Sequence, residues 1–428
     1  MEAPTTKTIE SAVIAQKARA ASSALALAAR PEKDRALLAM VGRLNDHRRD
    51  VLEANQQDLD DAVAAGLPTK VVQRLRFGEE KIIARQRSLQ KIAELPDPVG
   101  QVFHSERRAN GLEVARVRVP LGVVLMVYEA RPHVTVNAGA FCVKSGNAAI
   151  LRGGSEARRC NGLLGRLWQE SLAEAGLPAD AVQVVAGSHE QIHELLELDE
   201  HIDLVIPRGG KGLIRAVAEQ SRIPVIKHYE GICHVFLDEG CDVAAGLEIA
   251  IDSKCLMPEV CNAAETLLVS NALVGDLPRI VETLGKHGVT VRGCEQTRAA
   301  VPHVEPATEE DWRTEYLDLI FSIRVVADVD EAIEHVNRYG SHHTDAIVTS
   351  SEARATRFVD RVDSAVVLVN ASTMFCDGES LGMGAEIGIS TDKLHARGPM
   401  GLTELTSYKF VIRGESHAMG RWTLPEDD

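Results

Sequence analysis

The apolar positions change rhythm three times along the chain. From Ile9 to Arg30, and again through "DRALLAMVGRLNDHRRDVLEANQQDLDDAVAAG", hydrophobic residues recur every three and four positions, the spacing of packed amphipathic helices. From Leu112 to Val119 the stretch "LEVARVRV" alternates instead. Arg116 and Arg118 share one face and Val117 and Val119 the other, which predicts a half-exposed strand or ribbon suited to a subunit contact. After Pro120 come short continuous apolar runs, "GVVLMVY", "NAAIL", "AVQVV", "DLVI" and "PVI", separated by helical stretches. Continuous runs predict parallel strands covered on both faces, so this part is α/β. A second set follows: "HVFLD", a helix capped by Asp242, "ETLLVS", "LPRIVETLGKHG", "LIFSIRVV", "DVDEAIEHVNRYG", "AIVTS" and "AVVLVN". These predict a second sheet. The tail "ELTSYKFVIRGE" alternates again and is expected to pair with the earlier ribbon, while the acidic "EPATEEDW" (305–312) reads as a solvated loop.

Composition narrows the class. With 428 residues, 45% of them hydrophobic, the chain can bury the cores of two or three domains. No stretch approaches the ~20 uninterrupted apolar residues of a membrane span. The opening "MEAPTTKTIE" lacks a basic flank leading into an apolar segment, so a cytoplasmic location is expected. Eight cysteines (142, 160, 233, 241, 255, 261, 294 and 376) form no CxxC pair and read as reduced thiols. A net charge of -15 speaks against a nucleic-acid surface and leaves room for a local basic pocket that takes a phosphorylated ligand.

Two glycine loops stand where an open α/β sheet binds ligands. "ILRGGSEARR" (150–159) follows a strand and opens a helix at Ser155, and "VIPRGGKGLIR" (205–215) does the same around Gly209 and Gly210. Arg152, Gly153, Gly154 and Ser155, with Arg208, Gly209 and Gly210, are the candidate phosphate-binding residues. The same residues would also make plain strand-to-helix turns, since neither loop is a GxGxxG or a Walker A sequence. "GMGAEIG" (382–388) has one residue too many for the dinucleotide fingerprint. Arg152, with Arg158 and Arg159 nearby, stands where an NAD site would want an acid, which points to a 2′-phosphate and NADP(H).

In "PEVCNAAETLLV" (258–269), Cys261 sits between a proline-containing turn and a buried-looking run. A thiol reacts as its thiolate, which needs an electropositive, partly open position; the alternative is an inert core cysteine. The other cysteines have poorer contexts: Cys142 lies in a helical pattern, Cys233 enters a strand and Cys241 precedes a cap. No His/Cys set has zinc spacing, and His342 and His343 are adjacent, so no metal site is expected.

"VPLGVVLMVYEARPHVTVNAGAFCVKSGNAAILRGGSEA", "PEVCNAAETLLV", "GSHHTDAIVTSS" and "VNASTMFCDGESLGMGAEIGISTDKLHARGPMGLTELTSYK" together resemble the γ-glutamyl phosphate reductases, members of the aldehyde dehydrogenase superfamily. The likeness runs through nearly the whole chain. It implies an aldehyde dehydrogenase-like α/β fold: an NADP-binding domain (1–104 and 122–232), a catalytic domain (233–404) and an oligomerisation ribbon (105–121 and 405–428). It implies NADPH-dependent reduction of L-glutamyl 5-phosphate to L-glutamate 5-semialdehyde and phosphate, the second step from glutamate to proline. Cys261 falls on the family nucleophile and would form a thioester, with the backbone amide of Cys261 and a neighbouring side chain, Asn262 being the candidate, holding the oxyanion. The cofactor-side loops fall on Arg152–Ser155 and on residues 208–212.

Recognition of the anionic substrate falls on Arg131, His342, His343, Asn370, Ser372 and Thr373, for which loop capping is the alternative role. The family has arginine where this chain has Met374. Lys393, His395 and Arg397 would order the cofactor side or brace domains. Where hydrolytic relatives carry a water-activating glutamate, this chain reads "VIKHYEGICHVF" (225–236), with Glu230 displaced and Lys227 near the equivalent place, which suits a reductase. The implied partners are the small substrate, glutamate 5-kinase by channelling, and further copies of the chain in a dimer or tetramer. A broader aldehyde dehydrogenase, a non-redox thiol acyltransferase and a non-catalytic scaffold are the competing readings.

Overall fold

A computed structural model describes residues 6–186, 188–227 and 229–420. In chain order it contains α1 (Thr6–Leu25), α2 (Arg30–Asp46), α3 (Arg48–Ala64), α4 (Thr69–Leu75), α5 (Glu79–Glu94), β1 (Val102–Arg107), β2 (Glu113–Pro120), β3 (Val123–Tyr128), α6 (Pro132–Lys144), β4 (Ala148–Arg152), α7 (Arg158–Glu174), β5 (Val182–Val185), α8 (His189–Leu196), β6 (Leu204–Arg208) and α9 (Lys211–Gln220). There follow β7 (Cys233–Leu237), α10 (Val243–Cys255), β8 (Ala264–Ser270), α11 (Leu277–Lys286), β9 (Thr290–Gly293), α12 (Glu295–Ala300), β10 (Glu305–Pro306), β11 (Ile320–Val326), α13 (Val329–Tyr339), β12 (Thr344–Val348), α14 (Glu352–Arg361), β13 (Val366–Val369), β14 (Gly388–Ser390), β15 (Gly398–Met400) and β16 (Thr406–Arg413). No helix among the described residues is long and apolar enough to cross a membrane.

The chain divides into two compact units, Met1–Val205 with Arg222–Pro224 and Leu402–Asp428, and Ile206–Ser221 with Val225–Gly401. Residues 206–221 and 225–232 therefore group with the second unit, earlier than the expected border at 232/233, because their contacts are made there. The ribbon groups with the first. Residues 1–5 and 421–428 of the expected domain ranges lie outside the described residues.

In the first unit the helices follow their apolar spacing. α2 has proline in its first turn, the Ala29 N–H donates to Glu32 Oε2 at 2.7 Å, and Ala36, Leu37, Met40 and Leu44 are buried along one side. The sheet runs β5-β4-β3-β6, with β4 parallel to both β3 and β5 and every residue of β3 and β4 buried. "PVI" does not become a strand. Proline lacks an N–H to donate to a ladder, and the stretch makes a single bridge at Val225, with the Pro224 carbonyl accepting from Val205 N at 2.9 Å.

The ribbon is a separate antiparallel sheet, β1-β2-β16, in which Val117 pairs with both Val102 and Lys409 and Glu113 with Arg413. Its arginine face carries aromatic rings. Arg116 stacks over Tyr408 and Phe410 at 5.1 and 5.3 Å, and Arg118 over Phe103 at 4.8 Å.

The second unit holds a sheet of order β10-β9-β11-β8-β7-β12-β13, parallel at each of its pairings. Asp242 caps α10 as expected, accepting from the N–H groups of Ala244 and Ala245. The stretch 305–312 differs from the expected solvated loop: Asp311 and Trp312 are buried. The Asp311 carboxylate accepts from Thr308 N, Arg292 Nη1 and Tyr316 Oη at 2.6, 2.5 and 2.7 Å. Burial opposes its charge, yet these donors prevail and pull its pKa down to about 2. One acid of an acidic run can thus become a structural hub while its neighbours stay in water.

His335 on α13 is buried against Trp312, His234 and Tyr339, with ring centroids 5.6, 5.4 and 4.6 Å away. Burial, seconded by the charges of His234, Arg324 and Arg338, lowers its pKa to about 2. An unfolded histidine titrates near 6.5, so between these values only the unfolded chain takes up the proton, and stability falls as pH drops below about 6.5. The denaturant midpoint should report a loss of about 2 kcal/mol between pH 7 and pH 5 from this residue. His335→Phe should flatten that slope.

Candidate active site

Cys261 lies in the turn between α10 and β8, just before the amino end of a strand in the second unit. The turn is closed by a charged clasp. Lys254 on the last turn of α10 and Glu265 on the second residue of β8 are both fully buried and ion-paired. Lys254 Nζ also lies 5.9 Å from the ring centres of Tyr316 and Phe321, and the second carboxylate oxygen of Glu265 accepts from Leu317 N at 3.3 Å. A buried pair is tolerated only when both charges find partners, and here each does. Burial pushes Glu265 up to about 7, with Lys254 pulling the other way.

Further contacts hold the turn from outside. The Cys261 carbonyl accepts from Cys233 Sγ at 3.3 Å, and a side chain at position 231 would overlap that carbonyl, so glycine is required there. Gly231 N in turn donates to Glu315 Oε1 at 2.7 Å. Asn262 was expected to stabilise an oxyanion. Its side chain is buried and its Nδ2 donates to the carbonyls of Thr373 and Cys376 at 3.1 and 3.2 Å, which commits that donor to fixing the loop 373–376. It is a positioning residue.

The thiol itself retains some exposure at the residue level. Burial around the sulfur pushes its pKa up to about 11; the Arg208 charge pulls down, and the carboxyls of Glu386 and Glu315 push up. Both acids are themselves raised, first by burial, and each accepts one backbone N–H, Glu386 from Gly378 at 3.0 Å. Arg208 lies over Gly388, where a β-carbon would come within 3.1 Å of its Nη1. Burial and the two carboxyls thus favour the protonated thiol over the thiolate at Cys261, with the one guanidinium opposing them.

The other expected substrate residues in this unit are engaged within the protein, some with backbone and some with side chains. His342, with φ +60°, donates from Nδ1 to the Asp363 carbonyl at 2.6 Å. His343 is buried, 2.8 Å from Thr344 Oγ1 and 3.9 Å from Cys233 Sγ. Asn370, with φ +54°, clasps the backbone of Thr349 through both ends of its amide, at 2.9 and 3.0 Å. Ser372 meets Ser253 Oγ at 3.1 Å, and Thr373 is buried. These residues shape loops around the cysteine. Lys393 and Arg397 both bind Asp363, at 2.9 and 2.8 Å, Lys227 binds Asp392 at 3.1 Å, and Lys211 pairs with Glu230. Gly210 is the N-cap of α9.

In the first unit, the glycine loop after β4 is packed on its own protein. A side chain at Gly153 would strike Asn161 and Tyr128, and one at Gly154 would strike Glu156. The N–H groups of Arg159 and Cys160 at the start of α7 donate to the carboxylate of Asp58, at 3.3 and 2.9 Å. That helix terminus already holds an anion. Arg159 is bound to Asp58 and Asp61 and Arg152 is buried, which leaves Arg158 as the exposed member of the three arginines expected to meet a 2′-phosphate. A groove of about 420 Å³ opens beside them, lined by Asp58, Asp61, Leu67, Ser155, Glu156 and Arg158 among others.

The aldehyde dehydrogenase family profile matches residues 1–292. A γ-glutamyl phosphate reductase of Desulfatibacillum aliphaticivorans is 48% identical over 94% of this chain and 97% of its own length. The crystal structure of γ-glutamyl phosphate reductase from Thermotoga maritima covers 96% of this chain and 100% of its own, at 44% identity and TM-score 0.94. The chain belongs to the γ-glutamyl phosphate reductase family of aldehyde dehydrogenases. An engineered glycolyl-CoA reductase with bound NADP+, at 14% identity and TM-score 0.67, shares the fold alone.

Aldehyde dehydrogenases use a nicotinamide cofactor, and the groove beside Ser155 and Arg158 is lined by the carboxyls of Asp58, Asp61 and Glu156 as well as by those two residues. The occupied amides of α7 mean that Asp58, rather than a phosphate, satisfies that helix end. The residues around Cys261 that sequence reading missed are Lys254, Glu265, Glu315, Glu386, Cys233 and Gly231. The first two had a signal, since each is a charge set in an apolar context, seven residues before and four after the cysteine.

Iodoacetamide should alkylate Cys261 slowly at pH 7, with a rate rising about tenfold per pH unit toward a midpoint near pH 11, because only the thiolate reacts. Lys254→Met should cost about 3–5 kcal/mol by leaving Glu265 buried and unpaired. Adding Glu265→Leu should return most of that loss in the denaturant midpoint.

Proposed function

We infer that this protein reduces L-glutamyl 5-phosphate to L-glutamate 5-semialdehyde with release of phosphate, a step toward proline, with NADPH as reductant and Cys261 as nucleophile. The observation that carries the reading is the family cysteine held in a turn whose two ends are tied by Lys254 and Glu265, beside the cation of Arg208.

The resting protonation state suits this substrate. An acyl phosphate is activated, and attack by a thiol balances when the S–H proton leaves with the phosphate: a carbon–sulfur bond forms, the carbon–oxygen bond to phosphate breaks, and hydrogen phosphate departs. Arg208 supplies positive potential where charge collects on the departing group. Cys261 then holds the acyl group as a thioester, and its backbone N–H is the donor for the oxyanion that forms when the carbonyl is reduced. A bound NADPH would supply the hydride, and collapse of the oxyanion would break the carbon–sulfur bond, freeing the semialdehyde and leaving the sulfur to take a proton back from water. Lys227, tied to Asp392, stands near the place where hydrolytic relatives carry a water-activating glutamate, which favours a reductase.

For the cofactor, Arg158 at the groove's edge is the cation for a 2′-phosphate, which favours NADP(H). The ribbon's exposed Phe103, Tyr408, Phe410 and Ile412 favour a homo-oligomer formed through that sheet. Unpaired cysteines accord with a reducing cytoplasm, where glutamate 5-kinase could hand over its labile product directly.

The test runs the reaction backward. NADPH formation from glutamate 5-semialdehyde should require phosphate and should fall on the order of 10³-fold or more in Cys261→Ala. Turnover without phosphate would mark a broader aldehyde dehydrogenase; turnover without the thiol would end the mechanism.

A further inference from the structure

The carbonyl of Cys261 faces three consecutive residues at the entrance to β7, all in the second unit. A β-carbon on Gly231 would overlap that oxygen, and Cys233 Sγ donates to it at 3.3 Å. Ile232, between them, is tied by its backbone to Ser341: its N–H donates to Ser341 Oγ at 2.8 Å, and its carbonyl accepts from Ser341 N at 3.4 Å. Cys233 has a partner two residues further on, since His343 Nδ1 lies 3.9 Å from its sulfur. The stretch 341–343 thus holds the stretch 231–233, which in turn holds the nucleophile's carbonyl.

Strand geometry puts the thiol there. β7 and β12 run parallel with His234 opposite Asp345, and His234 Nδ1 lies 2.7 Å from Asp345 Oδ1 on one face of the sheet. Side chains alternate between faces, so Cys233 and Thr344, each one residue earlier, share the other. Cys233, His343 and Thr344 are fully buried, and the direction of each hydrogen bond follows from what each group can give. A thiol has one hydrogen. It goes to the Cys261 carbonyl, which leaves the sulfur as an acceptor; His343 Nδ1–H then donates to Thr344 Oγ1 at 2.8 Å and, at longer range, to that sulfur. The histidine turns the thiol toward the carbonyl.

We propose that Cys233, oriented by His343, is a positioning residue for the nucleophile. The inference rests on the reading of Cys261 as that nucleophile. The carbonyl carbon is bonded to the Cα that bears the sulfur, so a donor that fixes the carbonyl limits rotation of the turn and sets where the Cα–Cβ bond points. Cys233 is the donor that carbonyl finds among the described residues. A nucleophile displaced by a fraction of an ångström still lets substrate bind, and turnover is what suffers.

The reverse reaction reads that division. Cys233→Ala removes the donor, and kcat for NADPH formation should fall on the order of tenfold or more, while the KM values for semialdehyde and phosphate stay within about twofold. Cys233→Ser returns a donor to nearly the same place and should recover kcat to within about threefold of wild type; Cys233→Val fills the space without a donor and should fall with the alanine variant. His343→Asn, whose amide nitrogen takes the place of Nδ1, should keep kcat within about threefold, and His343→Leu should lose it. Recovery in Cys233→Val marks packing alone and overturns the assignment, as does an unchanged kcat in Cys233→Ala or a rise in KM at constant kcat. Where Cys233→Ala fails to fold, the two His343 variants carry the contrast, and equal kcat in both overturns it. Alkylation of Cys261 by iodoacetamide, followed on its own peptide by mass spectrometry, judges the geometry without turnover. A turn released by the thiol admits water to the sulfur, so the rate should rise about threefold or more in Cys233→Ala and return in Cys233→Ser. Equal rates in the three proteins overturn the proposal. Absence of turnover in the wild type with that alkylation difference intact would instead sink the reaction and spare the positioning role.

Discussion

The candidate active site depends on one buried ion pair. Lys254 and Glu265 tie the last turn of a helix to the first residues of a strand, and the segment between them is the turn that carries Cys261. Two opposite charges with no water around them attract strongly, and neither can leave without stranding the other. The clasp also reaches sideways, because Glu265 receives the Leu317 N–H two residues after Glu315. Glu315 holds Gly231, and Gly231 abuts the Cys261 carbonyl. One electrostatic contact thus sets the ends of the turn and, through three short steps, its outer wall.

The same environment explains why the sulfur rests protonated. Packing tight enough to fix a turn excludes the water that would stabilise a thiolate, and two nearby carboxyls add to that penalty while Arg208 offsets part of it. With Cys261 as the proposed nucleophile, reactivity would come from the substrate as much as from the cysteine. An acyl phosphate carries its own proton acceptor, whereas an unactivated ester or amide would require an enzyme that ionises its thiol beforehand. Such a site would select for activated acyl groups by chemistry before shape is considered.

Much of this was legible in the sequence. Continuous apolar runs gave parallel strands, alternation at 112–119 and in the tail gave the ribbon, and Asp242 gave a helix cap. These succeed because the burial of a strand or helix face is written into consecutive residues. What stayed hidden was pairing between distant residues. Asp58 is an ordinary helix acid in the sequence, and only folding brings it to the amides of Arg159 and Cys160 a hundred positions on. Asn262, His342 and Asn370 are polar residues beside a candidate nucleophile, and each spends its hydrogen bonds on backbone. Residue type told of a polar loop; it could not tell which polar atoms were already satisfied. Asp311 is the converse, an acid inside a charged run that folding turned inward.

Gly231 has no side chain to take part in chemistry, yet the Cys261 carbonyl fills the space where one would stand. A side chain at 231 would have to push aside the backbone of Cys261 itself, so a change there would move the sulfur without touching it. The acids and cations nearby could be remodelled one at a time; the bare backbone at 231 could not.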